Sequence, residues 1–445
     1  MTEYYIRADG SGKTGAGHLM RCLTIAEALR KQVRKAESSK ENDKSGLEKD
    51  RICFLSADEA SAEFVRQRGY EAKVLHTDLE QMEEELPVLE ELFKTPGKRL
   101  FLADSYFVTP AYLQALGKYG PVVLMDDMAE QSYPVDMIVN YNLFASPQKY
   151  RELYPALDDL AGRGTFDCID SHKTTAALEE RKTIGCIGSR EMTAGMREGH
   201  YTIGCIGSRE MTAGMREGHY TVGCIGSREM TAGMREGHYT VGCIGSHFVP
   251  VRQQFVGCAY QIRKSVKRVL ITAGGGDEHN IAGQISQALL NSTPGEDICF
   301  GIVSGSFHPH FQKLKAWEKE CSRIRIFHDV KDMAGLMKEC DLAITAGGTT
   351  VYELAALGVP FICFSYAANQ EALAEYIGTH EIAGYAGKWH KDRQGTMKKI
   401  QELFSDFCKD PQKREEAHTK EIRLVDGQGA DRIAQAIRMV AGQAM

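Results

Sequence analysis

The sequence predicts an α/β protein made of two doubly wound, Rossmann-like domains that face each other across a cleft. Three observations lead to this fold class. The length of 445 residues exceeds one ordinary domain and suits two domains with connectors. Short apolar runs alternate with helical patterns along both halves, as in parallel sheets covered by helices. A strand followed by a glycine-rich turn opens each half, which indicates that the same architecture occurs twice.

The first half supplies the elements of one sheet. Its apolar runs predict strands at Tyr4–Ala8, Ile52–Leu55, Leu100–Ala103, Val122–Met125 and Met137–Val139. Between the first two runs, apolar residues recur at spacings of four and three and predict one buried helix face: Leu19, Leu23, Ala26 and Leu29. We assign residues 1–145 to this domain and residues 146–255 to a connector.

The second half repeats the pattern over residues 256–430. Its strands are predicted at residues 268–272, 298–303, 324–327, 342–345 and 361–364. Helices are predicted at 280–290 and at 349–357, the latter ended by Gly358 and Pro360. A last amphipathic helix, over 430–441, falls mainly in a C-terminal segment, 431–445.

The composition is that of a globular protein, with 43% hydrophobic and 26% charged residues. A net charge of −6 and a pI near 6.2 give no basic surface for nucleic acid. No run approaches the ~18 apolar residues of a membrane span, and the N-terminus lacks the pattern of a signal peptide. The 13 cysteines include no C-x-x-C pair, so no structural zinc site is predicted. We therefore expect a cytoplasmic monomer without cofactor or metal.

Two insertions interrupt the alternation. Residues 34–50 are highly charged and predict a solvated loop. From Thr183, a 19-residue unit recurs almost letter for letter through residue 239, and a fourth copy fades after Ser246. We interpret it as a tolerated loop expansion, disordered over about 155–239, whose copies compete for one sheet position. The alternative makes Glu191, His200 and their equivalents metal ligands.

The loop after the first strand carries the first candidate site. It holds four glycines, among them Gly15 and Gly17, and leads into a helix at His18. Counted from Gly15 and Gly17, the third glycine of a dinucleotide fingerprint is missing, because Met20 stands there, and the Walker pattern also fails. His18 and Arg21 share a helix face, and the helix dipole disfavours an imidazolium there. The neutral ring suits a general base, while a capping histidine without catalytic duty is the alternative.

Two further strand ends of the first half carry polar residues. Asp104 could orient a base, bind a sugar hydroxyl or cap a helix, and Tyr106 could bond or stack. Asp126 and Asp127 do not form the D-x-D pattern of metal-dependent glycosyl transfer, so capping or substrate contact is expected.

In the second half, two glycine-rich turns follow strands. One contains Gly274 and Gly275. The other opens a helix with Gly348, Thr349 and Thr350, whose free N–H groups suit a phosphate.

Glu353 lies on the same helix face as the two threonines, within reach of a ribose diol. Asn369 and Gln370 follow the next strand and add amide groups to that rim.

These segments resemble one family of fold-B (GT-B-like) nucleotide-sugar enzymes, the group that includes the transferase adding N-acetylglucosamine to lipid I. The similar family is the UDP-2,4-diacetamido-2,4,6-trideoxy-β-L-altropyranose hydrolases of pseudaminic acid synthesis, with spore-coat polysaccharide relatives. The resemblance rests on RADGSGKTGAGHLMRC, ADSY, the Asp126-Asp127 pair, FVPVRQQF, AGGGD and AGGTTVYE with NQE. It covers nearly all of the chain outside 34–50 and about 155–239.

The resemblance implies metal-independent attack of water at the anomeric carbon, with departure of UDP and inversion. It implies His18 as general base, Tyr106 beside the substrate, and substrate or nucleotide contacts from Arg252, Glu353 and Asn369. The repeat, just before Arg252, departs from the family pattern. A transferase or an inactive nucleotide-sugar-binding protein remains the alternative, and the sugar and its glycan destination stay open.

Overall fold

Two parallel sheets organise the chain. The computed structural model describes residues 2–10, 17–38, 50–154, 240–257, 260–274, 276–293, 297–305 and 308–443, together with eight short strands between 166 and 233. The chain divides into a first unit, residues 1–9, 18–250 and 430–445, and a second unit, residues 10–17 and 251–429. No helix among the described residues is long and apolar enough to cross a membrane.

The first unit contains a seven-stranded parallel sheet in the order β3-β2-β1-β4-β5-β6-β15. Its strands are β1 (Glu3–Ala8), β2 (Arg51–Ser56), β3 (Glu71–Val74), β4 (Arg99–Asp104), β5 (Val122–Met125), β6 (Met137–Asn140) and β15 (Val241–Ile244). The five predicted strands of this half are present. The sequence pattern missed β3, a half-exposed edge strand without an apolar run.

Helices cover this sheet: α1 (Gly17–Ser38), α2 (Glu59–Arg66), α3 (Leu86–Phe93), α4 (Pro110–Gly117), α5 (Pro147–Leu153) and the C-terminal α13 (Gly429–Gln443). The four apolar residues predicted on one face of α1 are all buried. Side-chain oxygens cap the N-termini of several of these helices. In α4, for example, the Thr109 side chain accepts from the N–H of Tyr112. The loop predicted at 34–50 is wrong at its start, because α1 continues through residues 34–38. Residues 39–49 of that loop lie outside the described residues.

The second unit contains a six-stranded parallel sheet in the order β18-β17-β16-β19-β20-β21. Its strands are β16 (Arg268–Thr272), β17 (Cys299–Ser304), β18 (Ile324–His328), β19 (Leu342–Ala346), β20 (Phe361–Ser365) and β21 (Gly384–Lys388). Its helices are α6 (Ile281–Ser292), α7 (Phe311–Glu320), α8 (Met333–Glu339), α9 (Thr350–Leu357), α10 (Glu371–Thr379), α11 (Arg393–Lys409) and α12 (Pro411–Leu424). Every residue of β19 and β20 is buried, which explains their continuous apolar sequence.

The two sheets share a strand order, and that order decides where ligands can bind. In each, the first strand of the sheet lies beside the fourth, at the point where the direction of winding reverses. In doubly wound folds, ligands bind beyond the carboxyl ends of the strands at this point. The predicted fold class, two doubly wound α/β domains, is confirmed.

The structure describes eight strands between residues 166 and 233, of which the last six lie in the repeat: β7 (Phe166–Ile169), β8 (Thr174–Leu178), β9 (Thr183–Ile187), β10 (Glu191–Met196), β11 (Tyr201–Ile206), β12 (Glu210–Gly214), β13 (Tyr220–Ile225) and β14 (Glu229–Gly233). They form two parallel sheets, β14-β12-β10-β8 and β13-β11-β9-β7. Equivalent residues pair, so that Thr202 stands opposite both Thr183 and Thr221.

The expectation that the copies compete for one sheet position is therefore wrong for these strands, because equivalent strands of the first three copies pair with one another. The predicted disorder of the linking residues lies outside the described residues. So do His200 and the side chain of Glu191, on which the metal alternative depends. The last copy supplies β15, which pairs with β6 at the edge of the first sheet, as predicted.

Candidate functional site

Candidate active-site residues of the first unit surround the ends of β1 and β4. The loop after β1 leads to His18 in the first turn of α1, and Asp104 is the last residue of β4. His18 Nδ1 lies 2.6 Å from Asp104 Oδ1. The sequence thus brings together, as expected, two residues separated by 86 positions.

The charge of Asp104 fixes the tautomer of His18. Burial alone would raise the pKa of this carboxyl, but the charge of Arg21 and the contacts with His18 outweigh burial and hold the pKa well below its usual range. Asp104 is therefore an ionised acceptor, so the proton between the two groups belongs to His18 Nδ1. In the tautomer that this contact selects, the lone pair is on Nε2, the atom that can take a proton from a nucleophile.

Arg21 is the centre of this cluster. Its guanidinium donates to Asp104 through Nε at 2.6 Å and through Nη2, and to Asp127 and Tyr141 through Nη1 at 2.7 and 2.8 Å. Nη2 also lies 3.1 Å from His18 Nδ1. Arg21 and Asp104 are buried, at 7% and 1% exposure, and are bonded mainly to each other and to His18. These contacts suit the orienting role among those predicted for Asp104, whereas a substrate contact from Arg21 or Asp104 stays a prediction.

Tyr106 forms the exposed side of the cluster. Its ring meets the His18 ring edge to face, with centroids 4.6 Å apart and planes at 88°. Its hydroxyl donates to Asp127 Oδ2 at 3.4 Å, and the residue is 43% exposed. Its predicted place beside the substrate agrees with this exposure and stays a prediction.

Sequence reasoning missed two members of the cluster, Tyr141 and Asn142, which directly follow β6. Tyr141 accepts from Arg21, and Asn142 donates to Asp127 Oδ1 at 3.0 Å. A polar run at the end of a buried strand was the available signal. Asp126 instead caps a turn: its Oδ1 accepts from the N–H groups of Met128 and Ala129.

The beginning of the glycine-rich loop is fixed by a separate buried network. Arg7 pairs with Glu85 through Nε at 2.9 and 3.0 Å and also with Asp9, the first residue after β1. Asp9 in turn accepts from the N–H of Ala57 at 2.8 Å. Gly17 begins α1, with space for a Cβ, whereas Gly15 lies outside the described residues.

Candidate nucleotide-binding residues of the second unit surround the ends of β16 and β19. Gly347 and Gly348 join β19 to Thr349 and α9, which begins at Thr350. A Cβ on Gly347 would lie 3.0 Å from the carbonyl oxygen of Gln370, so this turn requires glycine. Gly348 has open space around it. The N–H groups of Val351, Tyr352 and Glu353 already donate to the carbonyls of Gly348 and Thr349, so the N–H groups that an anion would meet are those of Thr349 and Thr350. The arrangement suits an anion.

Glu353 lies one turn into α9 and pairs with Arg252, 101 positions earlier. Arg252 Nε and Nη2 lie 2.9 and 2.7 Å from the same oxygen, Glu353 Oε1. Burial raises the pKa of Glu353, and Arg252 opposes that shift. The two residues were predicted separately as ligand contacts; the structure joins them.

The remaining predicted residues lie around the same strand ends. Gly274 has a φ of 90°, a conformation that favours glycine. Gln370 Oε1 accepts from the N–H of Tyr366 at 3.1 Å, and Asn369 is exposed. Gly275 lies outside the described residues. Among the described side chains, no three His, Cys, Asp or Glu residues lie together as metal ligands would.

Comparison with known proteins agrees with this architecture. Residues 269–435 match the glycosyltransferase family 28 C-terminal domain. The chain is 30% identical over 116 residues to the spore coat polysaccharide biosynthesis protein SpsG of Bacillus subtilis (26% of this chain, 34% of that protein). It is 29% identical over 127 residues to the UDP-2,4-diacetamido-2,4,6-trideoxy-beta-L-altropyranose hydrolase of Campylobacter jejuni (28% of this chain, 44% of that protein). The matched segments thus span less than half of either relative.

The fold is also that of solved structures. MurG of Acinetobacter baumannii superposes with a TM-score of 0.53 at 12% identity, covering 99% of this chain and 100% of that one. An identity this low shows the fold alone, which is the GT-B type. Together the matches support the broad class of nucleotide-sugar enzymes.

Proposed function

We propose that the protein hydrolyses a UDP-linked 2,4-diacetamido-2,4,6-trideoxy sugar to UDP and the free sugar, in the cytoplasm. The observation that carries the proposal is the His18–Asp104 pair, in which an ionised carboxylate accepts from Nδ1 and so leaves Nε2 to act as base. The choice of sugar rests on the sequence segments shared with the hydrolase family and on the 29% identity to the Campylobacter jejuni hydrolase. The pathway we propose is pseudaminic acid synthesis, which the resemblance to the hydrolase family implies.

In this reaction the water oxygen attacks the anomeric carbon while His18 Nε2 takes a proton from it. The bond between the anomeric carbon and the phosphate oxygen breaks, and its electron pair leaves with UDP. Asp104 stabilises the imidazolium that forms, as the buried acid of a catalytic triad does.

The second unit supplies the nucleotide contacts. Negative charge that develops on the departing diphosphate is met by the N–H groups and dipole at the N-terminus of α9. Both described contacts of Arg252 with Glu353 go to Oε1, so Oε2 is the oxygen that accepts from the ribose hydroxyls. Arg252 thereby holds the carboxylate in place.

Glycosyl transfer is the second candidate, favoured by the match of residues 269–435 to the family 28 domain. The same base would then take the proton of an acceptor hydroxyl instead of water.

Incubation of the protein with the UDP-sugar alone separates these candidates. Free sugar together with UDP, identified by NMR, supports hydrolysis. Turnover that requires an added acceptor supports transfer and contradicts the hydrolase proposal. Binding without turnover under either condition indicates a nucleotide-sugar-binding protein.

A further inference from the structure

Two histidines of the second unit contact the loop between β16 and α6, and no step of the proposed reaction uses them. They flank Pro309 in the segment after β17, which we call the HPH segment (His308–His310). His310 Nε2 lies 2.9 Å from the carbonyl oxygen of Glu278. His308 Nε2 lies 3.6 Å from Asp277 Oδ2. The two imidazole centroids are 6.0 Å apart.

The backbone of this loop has an unusual conformation. Asp277 and Asn280 have φ values of 34° and 51°, and Gly274 has 90°. Positive φ at residues other than glycine is costly and persists where the surroundings enforce it, often at ligand sites. Asp277 enforces it here, since its carboxylate accepts from the N–H groups of Ile281 and Ala282 at 2.7 and 3.0 Å.

The hydrogen bonds of His308 leave one donor unsatisfied. Nδ1 accepts from the N–H of His310 at 3.1 Å, so the proton of the neutral ring is on Nε2. The His308 side chain is fully buried, and Nε2 has no hydrogen-bond partner among the described residues. A distance of 3.6 Å is beyond a hydrogen bond, yet a small shift of the loop toward His308 would complete one. Buried donors normally have partners, so the missing partner of this one calls for an explanation.

We propose that His308 and His310 are positioning residues for the nucleotide diphosphate. They position residues 276–280, and the bond from His308 Nε2 to Asp277 forms when the diphosphate binds beside these residues. The inference rests on the proposed function, because it requires UDP to bind at the end of β16. It also explains why an unsatisfied donor stays buried: the bond is made in the bound state.

The test compares UDP affinity with stability in the full-length protein. His308→Leu removes the unsatisfied donor, so thermal stability should stay the same or rise, since an apolar replacement leaves no orphan group. UDP affinity by calorimetry should nevertheless fall about tenfold, the size of one lost hydrogen bond in the complex. A purely structural histidine would not combine these two results.

Matched variants complete the design. His308→Gln keeps an N–H near the position of Nε2 and should restore UDP affinity to within about threefold of wild type. His310→Leu should weaken UDP binding in the same direction, whereas His380→Leu, at the far end of α10, should not. Unchanged UDP affinity in His308→Leu overturns the inference while leaving the proposed function intact. Loss of stability and affinity together makes His308 structural, and a wild-type protein that fails to bind UDP contradicts both proposals.

Discussion

The two domains have the same strand order, yet the loops at their switch points carry opposite kinds of chemistry. In the first, His18, Arg21, Asp104 and Asp127 are charged or titratable and bonded to one another. In the second, glycines, hydroxyls and backbone N–H groups surround one ion pair, Arg252–Glu353. A bonded cluster holds a proton acceptor in one tautomer, while a backbone turn receives an anion at little cost in reorganisation. We propose that the same strand order serves two tasks because the loops at the switch points differ.

The largest effect is expected from Asp104→Asn, which breaks the cluster around His18. In Asp104→Asn the amide can turn its NH₂ group toward His18 Nδ1, which favours the tautomer that has no lone pair on Nε2. Turnover should fall by about 10²–10⁴-fold, the usual cost of losing a general base. UDP affinity should be unchanged, because the second unit supplies the nucleotide contacts. Asp78→Asn, in a turn where the side chain accepts from Glu80 N–H, is the matched control; equal losses in both variants would contradict the assignment.

A smaller effect is expected at the ion pair of the second unit. Glu353→Ala should weaken UDP binding by roughly 1–3 kcal/mol, because Arg252 and the ribose hydroxyls lose a buried acceptor. Glu353→Gln retains an acceptor oxygen and should lose less. Calorimetry that finds the same UDP affinity in Glu353→Ala and in wild type would make Glu353 a purely structural partner of Arg252.

The central strands and the polar residues at their ends could be predicted from the sequence, and a single physical reason explains both. Buried parallel strands need continuous apolar runs, and polar residues at their carboxyl ends then stand out, as Asp104 and Thr349 do. The edge strands β3 and β21 were missed because half-exposed strands carry no such run. Pairings between distant residues, such as Arg252 with Glu353, leave no local pattern. The partners of Arg21 were not predicted for the same reason, since Asp127 and Tyr141 are over 100 positions away.

A carboxyl away from both sites should make stability depend on pH. Glu421 on α12 is fully buried, and burial raises its pKa well above the usual range although the N–H of Phe361 opposes the shift. The unfolded state therefore loses its proton first, so the contribution is complete below pH 4.5 and declines as pH rises. The free energy of unfolding should fall by about 1 kcal/mol between pH 5 and 6 relative to Glu421→Gln, measured by urea titration. If the free energy of unfolding depends on pH in the same way in both proteins, Glu421 is not a buried, protonated carboxyl.

The smallest effect is expected from the repeat, which neither site includes. Deletion of residues 183–239 removes β9–β14 but keeps Val241–Ile244, the strand that pairs with β6. Loop closure depends only on the logarithm of length, so stability should change by no more than about 1–2 kcal/mol and turnover should be retained. If the shortened chain unfolds or loses turnover with His18 intact, the repeat is a working module.

The division of labour between the domains is tested most directly by measuring turnover and UDP affinity on one variant, His18→Gln. Glutamine occupies similar space but cannot accept and release a proton as imidazole does. The account predicts that turnover falls by about 10²–10⁴-fold while the dissociation constant of UDP stays within about threefold of wild type. Turnover within about threefold of wild type, or a parallel loss of UDP binding, would contradict His18 as the base.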